Sequence, residues 1–273
     1  MEMKRKMGYE DKELFVKQMR TNLFLMDEAH EATGYILIGE ERVAVIDTMM
    51  GYNNLQNVVR ELTDKPIIVI NTHGHPDHIY GNVYFDKVFI SKTDVELAQM
   101  FLLEPQFIEK MKKSNLTVPP FEYIEEGDVI DLGGITLKTY ALPGHTLGEL
   151  VLLCPEERIL FSGDGINHHL YLQGEGCLFI EDAVKSLDRI MFLENEADVI
   201  LHGHARDYDD ITLMRALRDG LQEIIDGKTS NDTIYKSRFS GESLYHEFSV
   251  PEGLKFQQDK HGILYKSDRI YTR

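Results

Sequence analysis

The residues best equipped for chemistry lie in one run, Thr72-His73-Gly74-His75-Pro76-Asp77-His78, which packs three histidines and an aspartate into six positions. Alternate side chains of an extended backbone point the same way, so His73 and His75 can chelate one ion. Asp77 and His78 come one turn later and can face a second. Gly74 allows a close backbone approach and Pro76 stiffens the loop. Imidazole and carboxylate donors together suit zinc, iron or manganese. Three further pieces add metal-capable side chains beside glycine: Pro143-Gly144-His145-Thr146, Phe161-Ser162-Gly163-Asp164 and His202-Gly203-His204.

Each piece follows an apolar run, and that fixes what must position it. Ile67–Ile70 is short, continuous and apolar, the pattern of a strand covered on both faces. The loop beyond such a strand is where α/β proteins place ligands. Further strands are expected at 23–26, 35–39, 43–47, 87–90, 129–132, 135–141, 149–153, 158–161 and 199–201, with turns at 39–42 and at Gly133-Gly134. Helical spacing marks 53–62, 182–193 and 210–225, and a helix begins near Thr93. The Met/Phe/Lys-rich stretch 101–119 reads as helical, either a lid over the site or a peripheral helix. Strands and helices recur in two similar halves, roughly 20–130 and 135–226. The expected fold class is α/β, a four-layer αβ/βα sandwich with a short C-terminal β appendage. Residues 1–227 form the main domain and 228–273 the appendage, which can serve a homodimer contact.

The 273 residues carry 29 Lys+Arg against 46 Asp+Glu, a net charge of −17, with 42% hydrophobic residues. This is an ordinary globular composition. The acidic balance disfavours nucleic acid and anionic membranes as partners and leaves a small-molecule substrate. No apolar run reaches membrane-spanning length. The first eleven residues are charged without an apolar core, so no leader is expected there. Cys154 and Cys177 form no framework or C-x-x-C motif. Two thiols fit a reducing, cytoplasmic location.

Taken in order, the motifs H-x-H-x-D-H, His after Pro-Gly, Asp after Ser-Gly and a final Gly-His resemble the metallo-β-lactamase-fold superfamily, including its glyoxalase II and lactonase types. The resemblance spans roughly residues 20–205. It implies a dinuclear site with His73, His75 and His145 on the first metal, Asp77, His78 and His204 on the second, and Asp164 bridging both. His202 competes with His204 for the last role, but the family ligand follows the glycine, which assigns His202 a supporting place. Two divalent ions, zinc foremost with iron or manganese as alternatives, would share a hydroxide that attacks the carbonyl of a small ester, lactone or thioester. Asp77 would orient this nucleophile and shuttle its proton.

Other members of the family fit less well. Secreted β-lactamases usually lack the bridging Asp. Flavodiiron proteins replace the second motif His, here His75, with Glu. Quorum-quenching lactonases carry Tyr where this chain has Asn167, with Tyr171 nearby as a substitute. The alternatives to the hydrolase are a persulfide-dioxygenase-like oxidoreductase with one iron, or a β-lactam or phosphodiester hydrolase of the same fold. His168 and His169 follow the bridging Asp and are candidates for substrate contact.

Overall fold

The computed structural model describes residues 2–5, 12–237, 241–258 and 260–272. Residues 1 and 6–11, part of the stretch read above for a leader, lie outside them. The first sheet has eight strands in sequential order: β1 (Glu2–Arg5), β2 (Leu14–Arg20), β3 (Leu23–Glu28), β4 (Ala32–Ile38), β5 (Val43–Ile46), β6 (Ile67–Ile70), β7 (Val88–Ile90) and β8 (Phe121–Tyr123). Strands β1 to β5 are antiparallel, and β5 to β8 run parallel. The parallel part needs crossovers. Helix α1 (Leu55–Leu62) supplies one: Asn54 caps it by accepting the Asn57 amide, and Leu55, Val58 and Val59 face inward. The single turn α2 (Pro76–Ile79) lies on the crossover from β6 to β7, and helices α3 (Val95–Leu102) and α4 (Pro105–Ser114) form the crossover from β7 to β8. Pro105 at the start of α4 divides the stretch read above as one helix.

The second sheet contains β9 (Val129–Asp131), β10 (Thr136–Ala141), β11 (Leu150–Cys154), β12 (Ile159–Gly163), β14 (Val199–His202) and β15 (Asp209–Asp210). The turn at Gly133-Gly134, where both residues have positive φ, joins β9 to β10. Strand β9 therefore belongs to the second sheet, and the boundary between halves falls before residue 129 rather than after 130. Helices α5 (Ile180–Ile190) and α6 (Leu213–Ile225) pack together outside this sheet.

Apolar side chains of both sheets meet in the middle layer: Leu25, Tyr35 and Leu37 pack with Leu137, Leu152 and Phe161. Separate apolar layers join α1 to the first sheet and α5 and α6 to the second. This is the expected four-layer αβ/βα sandwich.

A third sheet holds β13 (His169–Tyr171), β18 (Gly262–Tyr265), β17 (Gly241–Glu247) and β16 (Thr233–Ser237), in that spatial order. The C-terminal β segment thus recruits a strand from the main body, and Phe248, Ile263 and Tyr265 pack in the core beside α6. The sequence patterns had not marked β1, β2, β8, β13, β15 or β16. No helix among the described residues is long and apolar enough to cross a membrane.

Candidate metal centre

Both large sheets point the C-terminal ends of parallel strands at one edge. Strand β6 delivers His73 to His78, and the parallel pair β12 and β14 delivers Asp164 and His204. His145 comes from the loop between β10 and β11. The fold thus collects all seven expected donors. His73 Nε2 lies 3.0 Å from His75 Nδ1, which lies 2.9 Å from His145 Nε2. Asp77 Oδ2 is 3.8 Å from His78 Nε2 and 3.6 Å from His204 Nε2. Asp164 stands between the groups. Its Oδ2 is 3.8 Å from His145 Nε2 and 3.1 Å from His204 Nε2, and its Oδ1 is 3.7 Å from His78 Nε2.

These donors fit metal ions by a structural criterion. His78 Nε2 and Asp164 Oδ1 are buried with no hydrogen-bond partner among the described residues, a costly state unless something else satisfies them. The outer ring nitrogens are anchored elsewhere. His145 Nδ1 donates to the Tyr171 carbonyl at 2.9 Å, His204 Nδ1 to the Glu31 carbonyl at 2.9 Å, and His78 Nδ1 to Asp47 at 2.8 Å. Each anchor leaves Nε2 aimed inward, the arrangement a metal-ligating imidazole needs. Burial holds His73 and His75 well below the usual histidine range, so both are neutral donors. Burial would lower His78 too, but the Asp47, Asp77 and Asp164 carboxylates raise it well above that range. Against the same opposition, Asp164 and Asp77 raise His204 to about 9. This half of the site thus carries an excess of negative charge that attracts cations.

Four buried carboxylates escaped the sequence reading. Asp47 accepts the Thr72 amide and hydroxyl, both at 2.8 Å, as well as His78. Asp94 accepts the Gly74 amide at 2.9 Å and, from the His145 loop, the Thr146 hydroxyl and Gly148 amide at 2.7 Å. It therefore ties two ligand loops together. Glu149 accepts the Asp164 and Gly165 amides at 2.7 and 2.8 Å. Asp209 faces His168 and His202. Two glycines are set by contact. A Cβ on Gly74 would press on the Asp94 carbonyl at 2.9 Å, so this glycine serves the approach of α3. A Cβ on Gly203 would meet Asp164 Oδ1 at 2.6 Å.

Beside these donors opens a cleft of about 1050 Å³. Met50, Phe101 and Phe107 line one wall, and Tyr171, Tyr235 and Lys236 line another. Helices α3 and α4 therefore wall the cleft, and the third sheet closes its other side. His169 is half-buried on this cleft, with Nε2 at 2.9 Å from Gln258 Oε1. His168 is only 1% exposed, and its ring nitrogens face Asp209 and His261. His168 thus lines the cleft with a side chain held firmly in its wall.

Residues 31–204 match the family model described as the metallo-beta-lactamase superfamily. The chain belongs to this superfamily. It is 26% identical over 219 residues to the acyl-coenzyme A thioesterase MBLAC2 of Gallus gallus, covering 69% of this chain and 79% of that one. It is 25% identical over 175 residues to the hydroxyacylglutathione hydrolase GloC of Haemophilus influenzae, covering 60% and 81%. The DIM-1 metallo-β-lactamase superposes with a TM-score of 0.59 at 17% identity, covering 77% of this chain and 97% of that one, a likeness of fold alone. As a member of this superfamily with relatives named thioesterase and hydrolase, the protein is a hydrolytic enzyme, and its His/Asp clusters could hold a divalent metal ion.

Proposed function

We propose that the protein is a dinuclear metal-dependent hydrolase of small thioesters, with esters and lactones as the wider substrate class. The observation that carries this reading is the placement of Asp164, whose two oxygens face His145 and His204 on one side and His78 on the other. In this reading His73, His75 and His145 hold one ion, Asp77, His78 and His204 hold the other, and Asp164 is shared. Two zinc ions, with manganese or iron as alternatives, would supply a water acidic enough to ionise at neutral pH and polarise the scissile carbonyl.

The chain's own residues do the rest. Asp77 is half-buried on the cleft and orients the attacking water, takes its proton and passes it to the leaving sulfur or oxygen. Met50, Phe101 and Phe107 exclude water from the acyl group. Thioesters come first because one relative is named a thioesterase and another a hydroxyacylglutathione hydrolase. Residues 1–227 are the hydrolase domain, and the segment 228–273 completes the cleft through Tyr235 and Lys236. The two free cysteines favour a reducing, cytoplasmic setting.

Elemental analysis of protein purified without added metal tests the reading, followed by a thioester, ester and lactone screen. About two zinc or manganese ions per chain are expected. Asp164→Ala should lose one ion and most hydrolysis, and full activity in that variant would remove Asp164 from its role. About one iron per chain with oxygen uptake on persulfides would replace the hydrolase with the oxidoreductase.

A further inference from the structure

Behind His204 lies a buried polar cluster that touches none of the reacting atoms: His168, His202, Asp209 and His261, each at most 4% exposed. Strand β15 pairs antiparallel with β14 and lays Asp209 beside Ile200, so its carboxylate reaches the end of the strand that delivers His204. Asp209 Oδ1 accepts the Gln257 amide at 2.8 Å and lies 2.9 Å from His168 Nε2. Its Oδ2 accepts the Gln257 side-chain amide and lies 3.3 Å from His202 Nε2. Two Gln257 N–H groups thus donate to the carboxylate, and two imidazole nitrogens stand beside it without hydrogen-bond geometry.

The tautomer of His202 follows from its other nitrogen. His202 Nδ1 accepts the backbone N–H of His204 at 3.2 Å. A neutral imidazole that accepts at Nδ1 carries its proton on Nε2. That Nε2 lies 3.3 Å from Asp209 Oδ2, a charge contact outside hydrogen-bond geometry, and has no hydrogen-bond partner among the described residues. The same three side chains have the donor set of a cation site, with ligand atoms within 4.8 Å of one another. A cation there would need the Nε2 lone pair of His202 and would push the proton onto Nδ1, against the His204 N–H. The hydrogen bond decides against it.

We propose that Asp209 is a positioning residue for His204 and acts through His202. The carboxylate fixes the Nε2–H tautomer, and the freed Nδ1 grips the His204 amide. The rest of the 202–204 backbone is held as tightly. Tyr35 and Thr33 hydroxyls donate to the His202 carbonyl at 2.6 and 3.2 Å, and the Gly203 amide donates to the Gly163 carbonyl at 2.7 Å. With the peptide fixed, the bond from His204 Nδ1 to the Glu31 carbonyl leaves Nε2 at 3.1 Å from Asp164. His168, pressed between Asp209 and His261 Nδ1 at 2.7 Å, ties the stretch after Asp164 to the same carboxylate. One buried carboxylate therefore sets the spacing between Asp164 and His204. The inference rests on the reading of His204 as a ligand of the second ion.

The test is a zinc titration of the metal-free full-length protein against a chromophoric chelator, together with the tautomer of His202 in the zinc-loaded native protein by 15N NMR. Asp209→Asn and His202→Leu should each bind the second zinc about 10- to 100-fold more weakly, the scale of loss when a ligand's support is removed, and leave the first unchanged. His202→Asn keeps an acceptor where Nδ1 stood for the His204 amide but falls short of Asp209, so its loss should be smaller than that of His202→Leu. The NMR signals should be those of Nε2–H. A His202→Leu protein with native affinity for both ions, a loss shared equally by both ions, or an Nδ1–H tautomer overturns the proposal. A third zinc abolished by Asp209→Asn also overturns it, because the cluster would then be a cation site. A native protein that saturates at one zinc defeats the dinuclear reading instead, and the tautomer still decides the Asp209–His202 link.

Discussion

His78 Nδ1 stands 2.8 Å from Asp47 Oδ2, and both side chains are buried. Asp47 itself sits at φ 58°, a left-handed conformation at the end of β5 that aims its carboxylate across to the His78 turn. The same carboxylate holds Thr72, so one group fixes both the entry to the ligand loop and the tautomer of its last histidine. Asparagine tolerates left-handed backbone, so Asp47→Asn isolates the charge from the geometry. Zinc affinity should fall about 10- to 100-fold, with a fall in the thermal midpoint because the amide faces one of three buried donors. Unchanged zinc affinity in a competition titration would show that His78 needs no such anchor.

Asp94 predicts a stability effect. Its carboxylate is the acceptor for the amides of Gly74 and Gly148 and the hydroxyl of Thr146. Asp94→Ala orphans three donors, each costing about 1–3 kcal/mol when buried. Urea unfolding of the metal-free protein should show a loss of at least about 3 kcal/mol, and a smaller loss for Asp94→Asn, which keeps an acceptor. A loss below about 1 kcal/mol in Asp94→Ala would mean that water replaces the carboxylate.

Glu28 predicts a pH dependence. Burial pushes its carboxyl up to about 7, against the Asn53 side chain and amide that donate to Oε1 at 3.0 and 2.7 Å. A carboxyl raised on folding favours the folded state while protonated. That contribution is full below about pH 4.5 and is lost as pH rises through about 7. The difference in unfolding free energy between native protein and Glu28→Gln should therefore shift toward the variant by about 2–3 kcal/mol from pH 5 to pH 8. A difference flat over that range would refute the assignment.

Phe101 predicts selectivity. It lines the cleft and meets His75 edge-on, ring centroids 5.7 Å apart. Removing the ring takes apolar surface from the acyl pocket and leaves the donors in place. Phe101→Ala should raise KM for an octanoyl thioester about tenfold more than for the acetyl analogue, the scale of one to two buried methylenes. Equal effects on both would move the acyl group elsewhere.

The sequence by itself determined the candidate donors, and with its family motifs it pointed to the layers. His73 to His78 lie within six positions at the end of one strand, so short-range geometry suffices to bring them together. Alternation and strand-helix order likewise imply two sheets between helices, because each element must bury its apolar side locally. The tertiary structure alone decided what holds the donors still. Asp47, Asp94, Glu149 and Asp209 look like any other acidic residues of a chain with 46, and only long-range packing buries them against ligand loops. Only the tertiary structure shows that the His202 ring faces Asp209 while the His204 ring faces Asp164. Strand β13 was invisible for a related reason. His169–Tyr171 becomes a strand by pairing with residues 262–264, and a partner some ninety positions away leaves no period in the local sequence.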